Sequence, residues 1–155
     1  MQGHPDVILR LNRLLAGELT AIDQYFIHSR MCRDWGFQHL YEHISHEMGE
    51  EQEHADRLIS RILFLEGIPD LGQRSPLAVG RDVPAILAND LALEYRVIAE
   101  LREAMAFCES VADYETRNIL LTLLKDTEED HAHWLEAQLG LVAKIGLENY
   151  LQSRL

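Results

Sequence analysis

The sequence HEMGEEQEHADRL, residues 46–58, contains four glutamates and two histidines but only one lysine or arginine, Arg57. Several of the glutamates are three or four residues apart, a spacing at which like charges destabilise a helix by roughly 0.2–0.5 kcal/mol per pair. Glu51 and His54 are three residues apart, so their side chains share one face of a helix. The stretch therefore predicts a helix that holds positive charge.

Long helices are predicted for most of the chain. Glycine and proline are sparse, and apolar residues such as Ile8, Leu11 and Leu15 recur every three or four positions. Runs of β-branched residues with the period-two alternation of strands are absent. The pattern predicts an all-α protein of a single domain, residues 1–155, with helices over about residues 5–34, 39–66, 83–111 and 114–139 and a short helix over about 146–153.

The connections between these helices predict the topology. The first and second helices, and the third and fourth, are joined by short links, which favour antiparallel hairpins. The middle link, IPDLGQRSPLAVGRD (residues 68–82), has no helical period. Fully extended it spans about 50 Å, enough to run the length of the bundle. The sequence therefore predicts a four-helix bundle with one long crossover and a short fifth helix at the C-terminus.

Each apolar stripe of the four long helices is interrupted by a glutamate, and two of these glutamates are followed three residues later by a histidine. The six residues are Glu18, Glu51, His54, Glu94, Glu128 and His131. The first two glutamates are 33 residues apart and the last two are 34 apart, so the two hairpins repeat one pattern. On the fourth helix, the expected inward-facing residues are Leu121, Leu124, Glu128, His131 and Leu135.

Four buried carboxylates cost many kcal/mol unless they are compensated or protonated. Two divalent cations would balance their charge. Oxygen-rich ligation with one imidazole per metal suits iron or manganese better than zinc, which favours closed sites of nitrogen and sulfur. A single Glu-x-x-His is commonplace, but two copies with matched glutamates predict a two-metal centre of the kind found in di-iron bundles. Asp90 is interpreted as a capping or hydrogen-bonding acid rather than a ligand, and Tyr25 and Trp134, from spacing alone, as core aromatics.

Composition excludes several classes of partner. The net charge of −12 and the pI of about 5.0 argue against nucleic acid and anionic membranes. Cys32 and Cys108 form neither a zinc motif nor a disulfide framework, which indicates a reducing compartment. Neither a signal peptide nor a membrane span is evident, so the expected location is the cytoplasm.

The chain resembles the bacterioferritins and the haem-free bacterial ferritins of the ferritin-like superfamily from end to end. The resemblance is carried by LNRLLAGELTAIDQYFIHSRM, DWGF, HADRLISRILFLEGIPDL, DLALEYRVIAELREA, EEDHAHWLEAQLGL and GLENYLQS. It implies iron storage and detoxification by a homo-oligomeric hollow shell of 24 subunits. Such a shell oxidises Fe(II) with O₂ or H₂O₂, which makes the protein a ferroxidase, and deposits ferric mineral inside.

Site residues follow from the resemblance by position. The six stripe residues would be the ligands of a di-iron centre, with Glu51 and Glu128 bridging the two irons. Tyr25 matches a tyrosine near this centre that donates an electron. His46 and Glu50 match positions on the inner surface that bind an additional iron. Two residues of the fifth helix match positions near a four-fold channel, namely Asn149 and Gln152.

One position departs from the bacterioferritin pattern. These proteins ligate haem b through a methionine directly after the Glu ligand of the second helix, and this chain has Gln52 there. Met48 lies one helical turn earlier and is either a ligand for a displaced haem or a packing residue at the subunit interface. Haem binding therefore stays open at this point.

Three alternative functions follow from these patterns. The chain could be a di-iron peroxidase or oxidase that stores no iron, or a haem-carrying subunit that co-assembles with a second, methionine-bearing bacterioferritin subunit. It could also be a plain helical interaction module, although that class needs no buried acids. For iron release, a ferredoxin is the candidate reductant.

Overall fold

The computed structural model describes all 155 residues and consists of helices, without strands. This confirms the prediction of an all-α bundle with a long crossover and a short terminal helix. The elements are α1 (Pro5–Asp34), α2 (Gln38–Phe64), α3 (Val83–Ser110), α4 (Tyr114–Lys125), a π-helical segment (Asp126–Ala132), α5 (His133–Ile145) and α6 (Leu147–Gln152). None of the helices combines the length and the apolar content that a membrane span needs.

Local sequence explains where the helices begin. The His4 side chain accepts a hydrogen bond from the Asp6 amide at 3.0 Å, and Pro5 occupies the first turn of α1. Asp82 caps α3 by accepting a hydrogen bond from the Ala85 amide at 2.8 Å. These side chains satisfy amide groups that have no partner within the helix.

The fourth long helix is built from α4, the π-helical segment and α5, and it ends later than the sequence pattern predicts. It was expected to end at about residue 139, before Gly140, but it continues to Ile145. A glycine inside a helix costs only about 1 kcal/mol relative to alanine, which packing readily offsets. Gly146 has φ +82°, a left-handed conformation, and this residue ends the helix.

The crossover lies along α1. Three α1 side chains spaced four residues apart accept hydrogen bonds from its backbone amides: Thr20 from Ser75 at 2.9 Å, Gln24 from Ala78 at 3.1 Å and His28 from Gly80 at 2.9 Å. The crossover thus runs toward the C-terminal end of α1. Helices α2 and α3 therefore both begin at this end of the bundle and are parallel. At Gly80 a Cβ atom would lie 2.4 Å from the Ile86 amide nitrogen, so only glycine fits this close approach.

Two apolar clusters form the core, and a polar layer separates them. One cluster of 14 buried residues includes Leu11, Leu58 and Leu101. The other, of 11 buried residues, includes Ile44 and Leu87. Between them the helices contribute buried carboxylates and imidazoles, which form a polar layer in the middle of the bundle.

Candidate metal centre

Five of the six predicted ligands meet in the polar layer. Each is at most 2% exposed: Glu18, Glu51, His54, Glu94 and His131. They come from α1, α2, α3 and the π-helical segment. Because each side chain interrupts an apolar stripe near the middle of its helix, packing of the stripes brings all five together.

The five side chains form two overlapping groups that share Glu51. Glu18, Glu51 and His54 have ligand atoms within 4.8 Å of one another, and so do Glu51, Glu94 and His131. Glu51 Oε2 lies 3.4 Å from His54 Nδ1, while Glu51 Oε1 lies 2.6 Å from His131 Nδ1. The two imidazole rings are nearly parallel, with centroids 5.7 Å apart. This arrangement places two adjacent groups of candidate cation ligands side by side, joined by one shared carboxylate.

The donor atoms of the layer fit divalent cations. Both oxygens of Glu18, Oε1 of Glu51 and Nδ1 of both histidines are buried and have no hydrogen-bond partner. Close neighbours such as His131 Nδ1 and Glu51 Oε1 are near enough for contact, but they are not aligned as donor and acceptor. Buried polar atoms are rarely left unpaired. Oxygen and imidazole donors in this number suit iron or manganese.

The protonation of the layer reflects the same crowding. Burial raises the pKa of Glu94, and burial together with the neighbouring Glu51 raises that of Glu18. Burial alone would lower the pKa of His54, but the Glu18 and Glu51 carboxylates outweigh it and raise this pKa to about 10. Protons therefore offset the negative charge of the layer. When cations bind, they displace these protons and balance the charge instead.

Each histidine directs Nδ1 into the layer and Nε2 toward a carboxylate outside it. His54 Nε2 lies 3.2 Å from Asp126 Oδ2, and His131 Nε2 lies 2.6 Å from Glu47 Oε2 and 2.7 Å from Glu50 Oε2. Carboxylate partners of this kind fix the orientation of a metal-binding imidazole.

Glu47 was not predicted as part of the centre, yet it is 8% exposed and forms a third group with Glu50 and His131. It also lies 2.8 Å from His43 Nε2. Burial alone would raise the pKa of Glu47, but His131 and His43 outweigh it and lower this pKa. The signal was present in the sequence, because Glu47 lies at helical spacing between Ile44 and Glu51 on the inward stripe.

Glu128 is the exception among the predicted ligands. Burial was expected, but its side chain is 36% exposed and accepts a hydrogen bond from Arg102 Nη2 at 2.5 Å. The predicted stripe of the fourth helix is also wrong by one residue before the π-helical segment. Leu120 and Leu123 are buried there instead, while Leu121 is 50% exposed, and Thr127 is the buried residue at the start of the π-helical segment.

The π-helical segment explains this offset. Its i→i+5 hydrogen bonds place more residues in a turn than an α-helix does, so side chains three residues apart no longer share one face. Counting back from His131 at α-helical spacing reaches Glu128, whereas the wider turn brings Thr127 to the inward position instead.

With this geometry established, comparison with known proteins identifies the family. A profile of the ferritin-like domain matches residues 8–145. The chain is 60% identical to a bacterial ferritin of Synechocystis over its whole length and 99% of that protein. It is 57% identical to a bacterial ferritin of Pseudomonas aeruginosa over the whole of both chains. A bacterioferritin of Brucella melitensis is 45% identical over 98% of this chain and 94% of that protein.

The chain belongs to the ferritin family. The resemblance recognised in the sequence is thereby confirmed.

In this ferritin-family chain, the remaining predicted residues surround the layer. The Tyr25 hydroxyl donates a hydrogen bond to Glu94, and burial raises the Tyr25 pKa. Asp90 accepts a hydrogen bond from Gln24 at 2.8 Å and lies 2.8 Å from His28 Nδ1, as expected for a hydrogen-bonding acid. His46 is largely exposed and lies 2.9 Å from Glu50, which joins the third group of ligands to the surface.

The residues considered for haem binding, and those of α6, which is the predicted short fifth helix, lie away from the layer. Met48 is half-buried and packs against the second apolar cluster, and Gln52 is exposed. Asn149 and Gln152 are exposed on α6, where the Asn149 amide donates a hydrogen bond to the Ile145 carbonyl.

Proposed function

We propose that this protein stores and detoxifies iron as the subunit of a hollow homomeric 24-subunit shell, and that the buried layer is its ferroxidase centre. The observation that carries the proposal is the pair of overlapping ligand groups sharing Glu51, lined by buried donor atoms without partners. Membership of the ferritin family, with relatives named bacterial ferritin and bacterioferritin, supports the same function.

Fe(II) is the substrate of this centre. Glu18 with His54 hold one ion, Glu94 with His131 hold the other, and Glu51 lies between them. Two Fe(II) ions supply two electrons, the number that reduces O₂ to hydrogen peroxide or hydrogen peroxide to water. A layer that holds two ions against one shared carboxylate therefore matches the electron count of the reaction.

The side chains around the layer hold the ligands in place and exclude water. The Tyr25 hydroxyl fixes Glu94, while Asp126, Glu47 and Glu50 fix the two imidazoles. Tyr25 is also the proposed electron donor from the protein. The apolar clusters on both sides keep bulk water away, which strengthens electrostatic interactions within the layer.

The third ligand group supports a route for iron between the centre and the surface. Glu47 and Glu50 both approach His131, and Glu50 also approaches the exposed His46. In the proposed shell, His46 and Glu50 bind iron on the inner surface, and a ferredoxin supplies electrons for its release.

The proposed shell carries no haem through Gln52, because a glutamine amide is a poor axial ligand. Met48 packs against the second apolar cluster of its own chain, so we do not propose it as a substitute ligand. A sharp Soret band in the purified protein would contradict this part of the proposal, while a spectrum without it is the expected result.

The decisive experiment combines anaerobic Fe(II) titration with exposure to O₂ and measurement of the shell mass. We expect two Fe(II) ions per subunit to bind and to be oxidised rapidly, followed by mineral growth in particles of 24 subunits. Glu51→Ala should abolish the rapid phase because it removes the shared ligand.

The matched control is Glu109→Ala, which removes an exposed acid that pairs with Arg117 away from the layer. Unchanged rapid oxidation in Glu51→Ala would refute the assignment of the centre. Rapid oxidation by monomers or dimers that accumulate no mineral would instead identify a non-storage oxidase.

A further inference from the structure

We infer that Arg102 is a positioning residue that holds Glu128 outside the metal centre until cations bind, when Glu128 exchanges the guanidinium for the metal. The inference rests on the proposed function, because it concerns the sixth ligand of that centre.

The first observation is the different environment of Glu128. The other five ligands are at most 2% exposed, whereas the Glu128 side chain is 36% exposed and accepts a hydrogen bond from Arg102. Arg102 lies two turns beyond Glu94 on α3, about 12 Å along the helix axis. The guanidinium thus holds the Glu128 carboxylate at the edge of the layer rather than within it.

The second observation is the backbone that carries Glu128. The π-helical segment places Thr127 inward, where its hydroxyl donates to the Leu123 carbonyl at 2.8 Å. Glu128 follows Thr127 directly, so its Cα is adjacent to the inward position while its partly exposed side chain pairs with Arg102. Segments of π-helix occur frequently at functional sites. A local change in side chain and turn, rather than unfolding of the helix, brings the carboxylate inward.

The charges explain why this exchange depends on cations. Without metal, keeping Glu128 on Arg102 leaves three carboxylates in the layer instead of four, which avoids the burial of another unbalanced charge. Once two divalent ions occupy the layer, a fourth carboxylate balances their charge. An ion pair whose arginine side chain is 64% exposed is weak, so coordination to buried cations outweighs it.

The surface beside the ion pair is open. Tyr95, Arg102, Glu128 and Glu136 line a depression between α3 and the fourth long helix. Glu128 is therefore accessible to cations from this side while it is paired with Arg102. The same carboxylate can contact an incoming ion at the surface and then bind it within the layer.

The test measures binding of Zn(II) and Co(II), which are not oxidised by air, to the full-length metal-free protein by calorimetry and by Co(II) absorption. We expect Arg102→Gln to tighten binding of the second ion about two- to fivefold, because the ion no longer competes with the ion pair. Affinity for the first ion should stay unchanged. Arg102→Lys, which keeps the charge, should stay close to the wild type.

Two comparisons make the test specific. Glu128→Ala should lower the affinity for the second ion. Adding Arg102→Gln to Glu128→Ala should change this affinity no further, because Arg102 acts only through Glu128. Arg117→Gln, which breaks a comparable exposed ion pair with Glu109, should leave both affinities unchanged.

The outcomes separate this inference from the proposed function. Suppose that two ions bind the wild type, but Arg102→Gln leaves the affinity for the second ion unchanged or changes it equally with and without Glu128. The inference is then wrong, while the assignment of the metal centre stands. A crystal structure with two Zn(II) ions and Glu128 still on Arg102 would likewise overturn it. If the wild type binds neither ion at the layer, both the inference and the proposed function fail.

Discussion

At the scale of single residues, the layer is organised by pairs of carboxylates and imidazoles. Glu51 contacts both histidines, one through each oxygen. Each histidine in turn uses its other nitrogen against an acid outside the layer, Asp126 or Glu47. The two imidazoles are therefore oriented before any metal binds, which reduces the cost of ordering them on binding.

Glu47 should matter because it orients His131. We expect Glu47→Gln to weaken binding of the ion that His131 holds by about tenfold, the lower range of effects for residues behind a ligand. Zn(II) calorimetry on the metal-free protein measures this. Glu53→Gln, an exposed position on the same helix, is the control. Equal affinities in the two variants would contradict the assigned role.

Tyr25 should stabilise the metal-free protein through Glu94. Tyr25→Phe leaves a buried carboxylate without its donor, so we expect the free energy of unfolding to fall by about 1–3 kcal/mol. Urea denaturation of the metal-free protein checks this value. Tyr114→Phe, at a side chain that is 52% exposed, should change the stability little. A similar loss in both variants would show that the hydrogen bond to Glu94 is not the cause.

At the scale of elements, the crossover and the start of α3 determine where Glu94 lies. The crossover is held by Thr20, Gln24 and His28, and α3 begins directly after it at the capped residue Val83. Glu94 is eleven residues further along this helix. The anchor on α1 therefore sets the position of a ligand on α3.

The Asp82 cap should contribute measurably to stability. We expect Asp82→Ala to lower the free energy of unfolding by about 1 kcal/mol, because the Ala85 amide loses its acceptor. Asp82→Asn should retain most of the stability, since asparagine caps helices about as well as aspartate. Urea denaturation of the three proteins compares them. Equal losses for alanine and asparagine would indicate that the charge of Asp82, and not its capping bond, is important.

At the scale of the whole molecule, two apolar clusters enclose the polar layer and also bury several weak acids. Burial raises the pKa of Cys32 to about 12, that of Cys108 to about 11 and that of Tyr150 to about 12. All three groups are neutral in the folded protein at pH values where the unfolded chain is already ionised.

These shifts predict alkaline destabilisation. A pKa that is raised by folding adds stability that is complete below the unfolded value, about 8.5 for cysteine, and is lost as the pH rises toward the folded value. We expect the urea midpoint to fall steadily between about pH 9 and pH 11. The double variant Cys32→Ala and Cys108→Ala should show a shallower fall than the wild type. A midpoint that does not change over this range would contradict the prediction.

The fold and the burial of five predicted ligands were predictable because they depend on local patterns. Helical spacing of apolar residues predicts α1, α2 and α3 closely, and a 15-residue link without helical period predicts the crossover. Glu18, Glu51, His54 and Glu94 interrupt those stripes, so their burial follows from the same periodicity. The fifth residue, His131, lies four positions before the buried Leu135 on the fourth long helix. Where the helical period is uniform, the position of a residue in the sequence predicts which face of the helix it lies on.

Predictions failed where the helical period changes or where a partner lies far away in sequence. The π-helical segment shifts the inward face by one residue, so Glu128 faces Arg102 and Thr127 takes its place. Glu47 was not predicted as part of the centre. Its inward spacing is visible in the sequence, but its contact with His131, 84 residues later, depends on how two helices pack.

The sequence by itself therefore determined the bundle, its connectivity and five of the side chains that meet in the polar layer, because these follow from the spacing of apolar and acidic residues along each helix. Only the tertiary structure decided that Glu128 pairs with Arg102 outside the layer and that Glu47 contacts His131. These pairings depend on the hydrogen-bond pattern within the fourth long helix and on contacts between helices, and neither is encoded in the spacing of a single element.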